Sequence, residues 1–175
     1  MSETKEVLAE GNFVRLVRRG NWEWAERTNT AGGVVIVTVT DDGRIVLVEQ
    51  YRPPLDARVI ELPAGLTGDE PGKENEPDLE AAQRELLEET GYEAAEWEEL
   101  VAGPSSAGLT TESYTLFLAR GAKKTAPGGG EGSENITVHA VPIDEIDAWL
   151  DARRESGTVV DPKVYAGLYF ATRAK

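Results

Sequence analysis

Apolar residues recur along this chain at two spacings, and each change of spacing marks an element. From residue 12 to 28 they alternate with polar ones, the period of a half-buried strand, and Arg19-Gly20-Asn21 interrupts the alternation as a hairpin turn. Gly33 to Thr40 (GVVIVTVT) and Arg44 to Tyr51 (RIVLVEQY) are almost unbroken branched aliphatics joined by Asp41-Asp42-Gly43. That pattern predicts a hairpin of central strands covered on both faces. A short strand, Val59 to Leu62, runs into Pro63-Ala64-Gly65. Residues 78 to 90 (DLEAAQRELLEET) switch to strong helix formers, with Gly91 in the place of a C-cap glycine. At helical spacing Leu79, Ala82 and Leu86 form a stripe expected to be buried. Trp97 to Ala102, Ser113 to Ala119 and Asn135 to Val141 read as further strands. Pro142 to Arg154 and Pro162 to Arg173 read as amphipathic helices, the second opened by Asp161 as N-cap and Pro162 as first helical residue. Between the strands Ser113 to Ala119 and Asn135 to Val141, residues 121 to 134 (GAKKTAPGGGEGSE) are glycine-rich without apolar periodicity, and a mobile loop is expected.

Strands dominate this order, and three helices are spaced to cover them. The expected architecture is an α/β fold: an α/β/α sandwich around a mixed sheet, with an antiparallel strand segment ahead of it. Residues 1–30 form that segment and residues 31–175 the main domain. A chain of 175 residues can bury a core without covalent staples. Cysteine is absent, which excludes disulfides and thiolate metal sites. The start, MSETKEVLAEGNF, lacks a basic segment followed by an apolar one, and no apolar run reaches the length of a membrane span, so a soluble cytoplasmic protein is expected. The net charge of −14 speaks against a nucleic-acid backbone as partner. An anionic substrate would need bound cations and local arginines to overcome it.

The charge is concentrated informatively on the helix of residues 78 to 90. Positions three and four apart share a helical face, so Glu85, Glu88 and Glu89 stand side by side and repel one another. A hard divalent cation such as Mg²⁺ or Mn²⁺ would reverse the sign of that term. A solvated acidic face is the plainer account of such a cluster. The residues around it decide between the two. Glu76-x7-Arg84-Glu85-Leu86-x-Glu88-Glu89-x-Gly91-Tyr92 resembles the box of the Nudix hydrolases. The family pattern has five residues between its first glycine and first glutamate; here ten (LTGDEPGKEN) separate Gly65 from Glu76, and Glu74 is a rival for the glutamate.

The resemblance implies a Nudix α/β/α sandwich and a Mg²⁺-dependent hydrolase, with Mn²⁺ an alternative ion. It implies Glu85 and Glu89 as principal metal ligands, Glu88 contributing directly or through water, and the Ala64 backbone carbonyl completing the site. Gly65, Glu76, Arg84 and Gly91 are then structural members of the box, Arg84 orienting Glu76. The strings VEQYRPP at 48 to 54 and ELPAGL at 61 to 66 resemble the ADP-ribose and ADP-sugar diphosphatase branch. That branch implies a nucleoside diphosphate sugar as substrate, ADP-ribose first, cleaved to AMP and ribose 5-phosphate. GDP-mannose or a non-catalytic nucleotide-binding role are the alternatives. The branch further implies Arg52 on substrate phosphate, a late-loop acid in catalysis (Glu134, with Glu131 as rival), and a homodimer built through the N-terminal strands. Trp22 and Trp24, two apart on one strand face, read either as hydrophobic filling or as a platform for a purine base. Ala107 stands where that branch carries proline.

Overall fold

The computed structural model describes residues 4–30, 32–69, 72–130 and 135–173. Among these residues twelve strands and three α-helices follow one another in the order β1 (Glu6–Glu10), β2 (Val14–Arg19), β3 (Trp22–Arg27), β4 (Gly32–Thr40), β5 (Arg44–Arg52), β6 (Ala57–Glu61), β7 (Ala64–Leu66), α1 (Asp78–Thr90), β8 (Tyr92–Glu93), β9 (Glu96–Pro104), β10 (Ser113–Lys124), β11 (Thr137–Pro142), α2 (Ile146–Glu155), β12 (Val159–Val160) and α3 (Pro162–Arg173). Short 3₁₀ turns at Pro53–Leu55 and Ile143–Glu145 punctuate them.

β4 is the keel of the main sheet. It lies parallel to β10 and antiparallel to β5 and β7, and the sheet runs β12-β6-β5-β4-β10-β8, with β11 on β5 and β9 on β10. Its alternate side chains enter two different cores, which is why both parities of GVVIVTVT are apolar. Val35, Val37 and Val39 meet Ile146 and Leu150 of α2 and Val164 and Leu168 of α3. Val34 and Ile36 meet Ala81, Ala82 and Leu86 of α1. Helices on both faces of a mixed sheet make the α/β/α sandwich. A fully buried Leu86 contributes about 1.5–3 kcal/mol through its removal from water.

The helix carrying the glutamates begins and ends where its sequence places it. Gly91 closes it at φ 74°, a left-handed conformation in which its N–H donates to the Leu87 carbonyl. A Cβ at Gly91 would lie 2.0 Å from the Ala126 carbonyl oxygen, so the cap is also a point of close packing. The stripe facing the sheet departs from expectation. Ala82 and Leu86 are buried as expected, but Leu79 is 40% exposed and Glu89 is buried with them. Ala82, Leu86 and Glu89 are spaced i, i+4, i+7, so Glu89 projects from the core side of the helix rather than from its solvent side.

Two further expectations shift. β10 does not stop at Ala119; a bulge carries it through Gly121 (φ 63°) to Lys124, so the first residues of the glycine-rich segment are strand. The helix expected from Pro142 starts at Ile146, because Pro142 ends β11 and a 3₁₀ turn intervenes.

The N-terminal strands form their own antiparallel sheet in the order β1-β2-β3, with β2 and β3 joined at Gly20 (φ 59°). It meets the main domain where Ala25 bridges Thr110. One buried carboxylate ties this sheet together. Glu26 accepts from Lys5 Nζ (2.8 Å), Arg15 Nη2 (2.8 Å) and Trp24 Nε1 (2.9 Å). Lys5 above all, with Trp24 and Arg15, holds its carboxyl down at about 2 against the burial that would raise it. A depressed folded-state pKa stabilises fully above the ordinary carboxylate value and is lost as pH falls from there towards about 2. Glu26→Gln is therefore expected to cost the β1–β3 sheet about 1.5–3 kcal/mol at neutral pH and to flatten its acid sensitivity. Amide hydrogen exchange across β1–β3 between pH 7 and pH 3 measures both.

Candidate active site

A cleft of about 610 Å³ opens where β5, β6, β7 and α1 converge with the start of α3. Its acidic end is built on a contact between a strand and a helix. β7 pairs with β4 through Val35↔Ala64 and Val34↔Gly65, which sets the Ala64-Gly65 backbone against α1. Glu89, from the core side of α1, accepts the Ala64 N–H at 3.0 Å. Glu85, one turn earlier, lies directly over Gly65: a Cβ there would be 1.9 Å from Glu85 Cδ. Glycine stands at this position because the carboxylate occupies the space of a side chain.

Arg84 organises the other side of the helix. It grips Glu76 with two hydrogen bonds, Nε to Oε1 at 3.1 Å and Nη2 to Oε2 at 3.0 Å. Its Nη1 donates to Glu85 Oε1 (2.8 Å) and Glu88 Oε2 (3.0 Å). Hydrogen bonding to Glu76 above all raises the Arg84 pKa further, so this hub stays charged. Glu74, the rival for Glu76, instead accepts the Gly72 N–H. Burial pushes the Glu85 carboxyl up to about 7; Arg84 opposes the rise, and Glu88 and Asp69 add to it.

Of the residues expected at the site, Arg52, Ala64, Gly65, Glu85 and Glu89 line this one cleft. Glu88 does not line it and faces Arg84. Glu131 and Glu134 lie outside the described residues. Trp22 and Trp24 line a separate depression of about 320 Å³ with Arg19, Ala107 and Thr110. Trp22 is 69% exposed there, and the Trp24 indole N–H is taken by Glu26.

Other residues enter the cleft that local sequence patterns did not single out. Arg27, the last residue of β3, lines it and gives its Nε–H to Glu112, and Tyr114 donates its hydroxyl to the same carboxylate at 2.8 Å. Burial works to raise the Glu112 carboxyl, but Arg27 and Tyr114 outweigh it and hold it below the usual range. Arg27 and Glu112 are 85 positions apart, so no spacing rule could have joined them. Asp69, inside the long loop between Gly65 and Glu76, also lines the cleft and gives that loop a place at the site. Glu61 stood in view within ELPAGL and Arg52 within VEQYRPP, but their pairing did not.

The donor set can be tested against a cation. Among the described residues no three acidic side chains form a ready-made cage. Mg²⁺, however, is commonly held by one or two carboxylates, its remaining positions being filled by water and substrate phosphate. Glu85 and Glu89 beside the Ala64 backbone fit that requirement, and Mn²⁺ accepts the same oxygens. Charge points the same way. Arg27 and Arg52 share the cleft lining with five carboxylates, Glu61, Asp69, Glu85, Glu89 and Asp161, so an anion entering it would be repelled unless a cation came with it.

Among known proteins, residues 29–161 match the NUDIX domain. The chain is 34% identical over 164 residues to the methanol dehydrogenase activator of Bacillus methanolicus, covering 89% of this chain and 86% of that protein. It is 42% identical over 121 residues to the ADP-ribose pyrophosphatase of Bacillus subtilis, covering 66% of this chain and 63% of that protein. The ADP-sugar pyrophosphatase of Mus musculus is 31% identical over 189 residues, covering 93% and 83%. The crystal structure of an ADP compounds hydrolase superposes with a TM-score of 0.69 over 99% of this chain and 91% of its own, at 20% identity, a likeness of fold. The domain match takes in the whole of α1 and the strands that form the cleft, and two relatives align over most of both chains: this protein belongs to the NUDIX family, as one of its hydrolases.

Proposed function

We propose that this hydrolase is Mg²⁺-dependent and cleaves the diphosphate of a nucleoside diphosphate sugar, with ADP-ribose the substrate that fits best. One observation carries the reading: a single cleft holds Glu85, Glu89 and the Ala64 backbone together with two guanidiniums, Arg27 and Arg52. Carboxylates alone would suit a cation, and arginines alone an anion. Both together suit a phosphoanhydride brought in with its metal. The names of the relatives from Bacillus subtilis and Mus musculus support the ADP-linked class.

In this reading water adds to one phosphorus, the bond from that phosphorus to the bridging oxygen breaks, and AMP and ribose 5-phosphate leave. Mg²⁺ held by Glu85 and Glu89 would neutralise the diphosphate and lower the pKa of the attacking water. Arg52 and Arg27 bind phosphate oxygens. Arg84 keeps Glu85 oriented on the cleft side of the helix, and Glu88 supports the same hub. Glu134, or Glu131 in its stead, takes the proton of the attacking water when the late loop meets the substrate. Within one chain Trp22 and Trp24 line another depression, so the reading has residues 1–30 pack across a second copy in a homodimer, where one of the two indoles stacks on the base.

Turnover of ADP-ribose, ADP-glucose, GDP-mannose, NADH and a nucleoside triphosphate, each with Mg²⁺ and again with EDTA, tests the assignment. AMP and ribose 5-phosphate from ADP-ribose, abolished by EDTA, is the expected result. Faster turnover of GDP-mannose would move the specificity within the class. A second reading, a nucleotide-responsive regulator of a partner enzyme, draws on the likeness to the Bacillus methanolicus activator over most of both chains. Silence across the whole panel at saturating Mg²⁺ would favour it.

A further inference from the structure

Arg52 does not extend from the end of β5 into solvent. β5 and β6 pair through Arg52↔Ala57 and Val48↔Glu61, so Arg52 and Glu61 belong to rungs four residues apart on the same face. Arg52 nevertheless folds back along the sheet and gives its Nε–H to Glu61 Oε2 at 2.7 Å. The Glu61 carboxylate is 14% exposed and the Arg52 side chain 42% exposed, so the acid is the fixed member and the arginine reaches to it. A guanidinium has five N–H donors; this contact takes one, and among the described residues Arg52 has no other hydrogen-bond partner. Its terminal amino groups are left for a ligand in the cleft that both residues line.

Resting on the diphosphate reading above, we infer that Glu61 is a positioning residue that presets Arg52 for its phosphate. Two physical effects support the role. A free arginine side chain has many rotamers, and part of that freedom would be lost on every binding event; Glu61 removes it in advance. Burial also works against the Arg52 charge; the hydrogen bond and field of Glu61 outweigh it, and the field of Glu89 adds a smaller contribution of the same sign. Glu61 thus both aims the guanidinium and favours its charged form.

A double-mutant cycle on the full chain tests this. Glu61→Ala is expected to raise KM for ADP-ribose about tenfold with kcat changed less than threefold. Glu61→Gln, whose amide oxygen still accepts the Nε–H, should stay within threefold of the parent in KM, whereas Glu61→Asp, which withdraws the acceptor by one methylene, should resemble the alanine variant. In an Arg52→Ala background Glu61→Ala should add less than twofold. An equal loss in both backgrounds, or no loss in the parent, overturns the inference. If the parent turns over no diphosphate sugar, the functional reading fails by itself. The same cycle is then read from inorganic pyrophosphate binding by calorimetry with Mg²⁺, where loss of the coupling between positions 52 and 61 overturns the inference independently. If Glu61→Ala does not fold, the Gln and Asp variants carry the comparison, and equal behaviour of those two overturns it.

Discussion

Replacing Glu89 by glutamine is expected to lower kcat on the order of 10³-fold at saturating Mg²⁺, while Tm moves by only a few degrees. The two halves of this expectation have different causes. Glu89 projects from the core side of α1, 6% exposed, with its Oε2 on the Ala64 N–H. Glutamine keeps the length of the side chain and an oxygen to accept that N–H, so the contact between helix and β7 survives. What disappears is a negative charge in a nearly dry place, and the cost of keeping that charge away from water disappears with it. In the proposed site, cation binding depends on that same charge. Steady-state kinetics over a Mg²⁺ titration, with a thermal melt of each variant, measures the two effects separately. An active Glu89→Gln enzyme would remove Glu89 from the metal site, and a variant that unfolds would show its role to be structural.

Gly65→Ala should come close to the same loss of activity by a steric route, with kcat/KM falling about 100-fold. Gly65 has no need of an unusual backbone conformation; it has a negative φ and sits in β7. Its constraint is the carboxylate above it. A Cβ would meet Glu85 Cδ at 1.9 Å, Oε1 at 2.1 Å and Cγ at 2.4 Å. The atoms that must give way are the far end of a flexible side chain, so the cost in stability should be at the low end of overpacking, about 1 kcal/mol. Glu85 would give way by leaving the position that faces the cleft. Isothermal titration with Mg²⁺ should show weakened binding alongside a nearly unchanged melt. Retained metal affinity in a folded Gly65→Ala protein would mean that Glu85 is not a ligand.

How far the sequence revealed this site depends on how local each part is. α1 was legible to the residue because helix formers, a C-cap glycine and the carboxylate spacing all lie within Asp78–Gly91. The β4–β5 hairpin was legible because aliphatic runs flank Asp41-Asp42-Gly43. Leu79 shares the angular sector of Leu86 and Thr90, both buried, yet is itself exposed because it stands in the first turn of α1; a helical wheel shows which residues share a face but not how far along the axis the sheet covers it. The arginine pairs were beyond reach for a different reason. Arg27 meets Glu112 only because β3 is bridged to Thr110, and Arg52 meets Glu61 only because its side chain runs back along the sheet. No periodicity encodes contacts of that kind.

The parallel pairing of β4 with β10 brings a kinetic consequence. Val34 and Thr115 are partners in that pair, roughly 80 residues apart, and the chain between them contains β5, β6, β7, α1 and β9. Closing so long a segment is entropically slow, and sheets dominated by distant pairings fold late. α1, rich in helix formers, can flicker into shape early, but β7 cannot set its backbone against α1 until β4, on which it pairs, is in place. Refolding should therefore recover helical ellipticity ahead of catalytic competence, and the interval between them is the lifetime of a chain whose proposed metal ligands already share a helix but do not yet share a cleft.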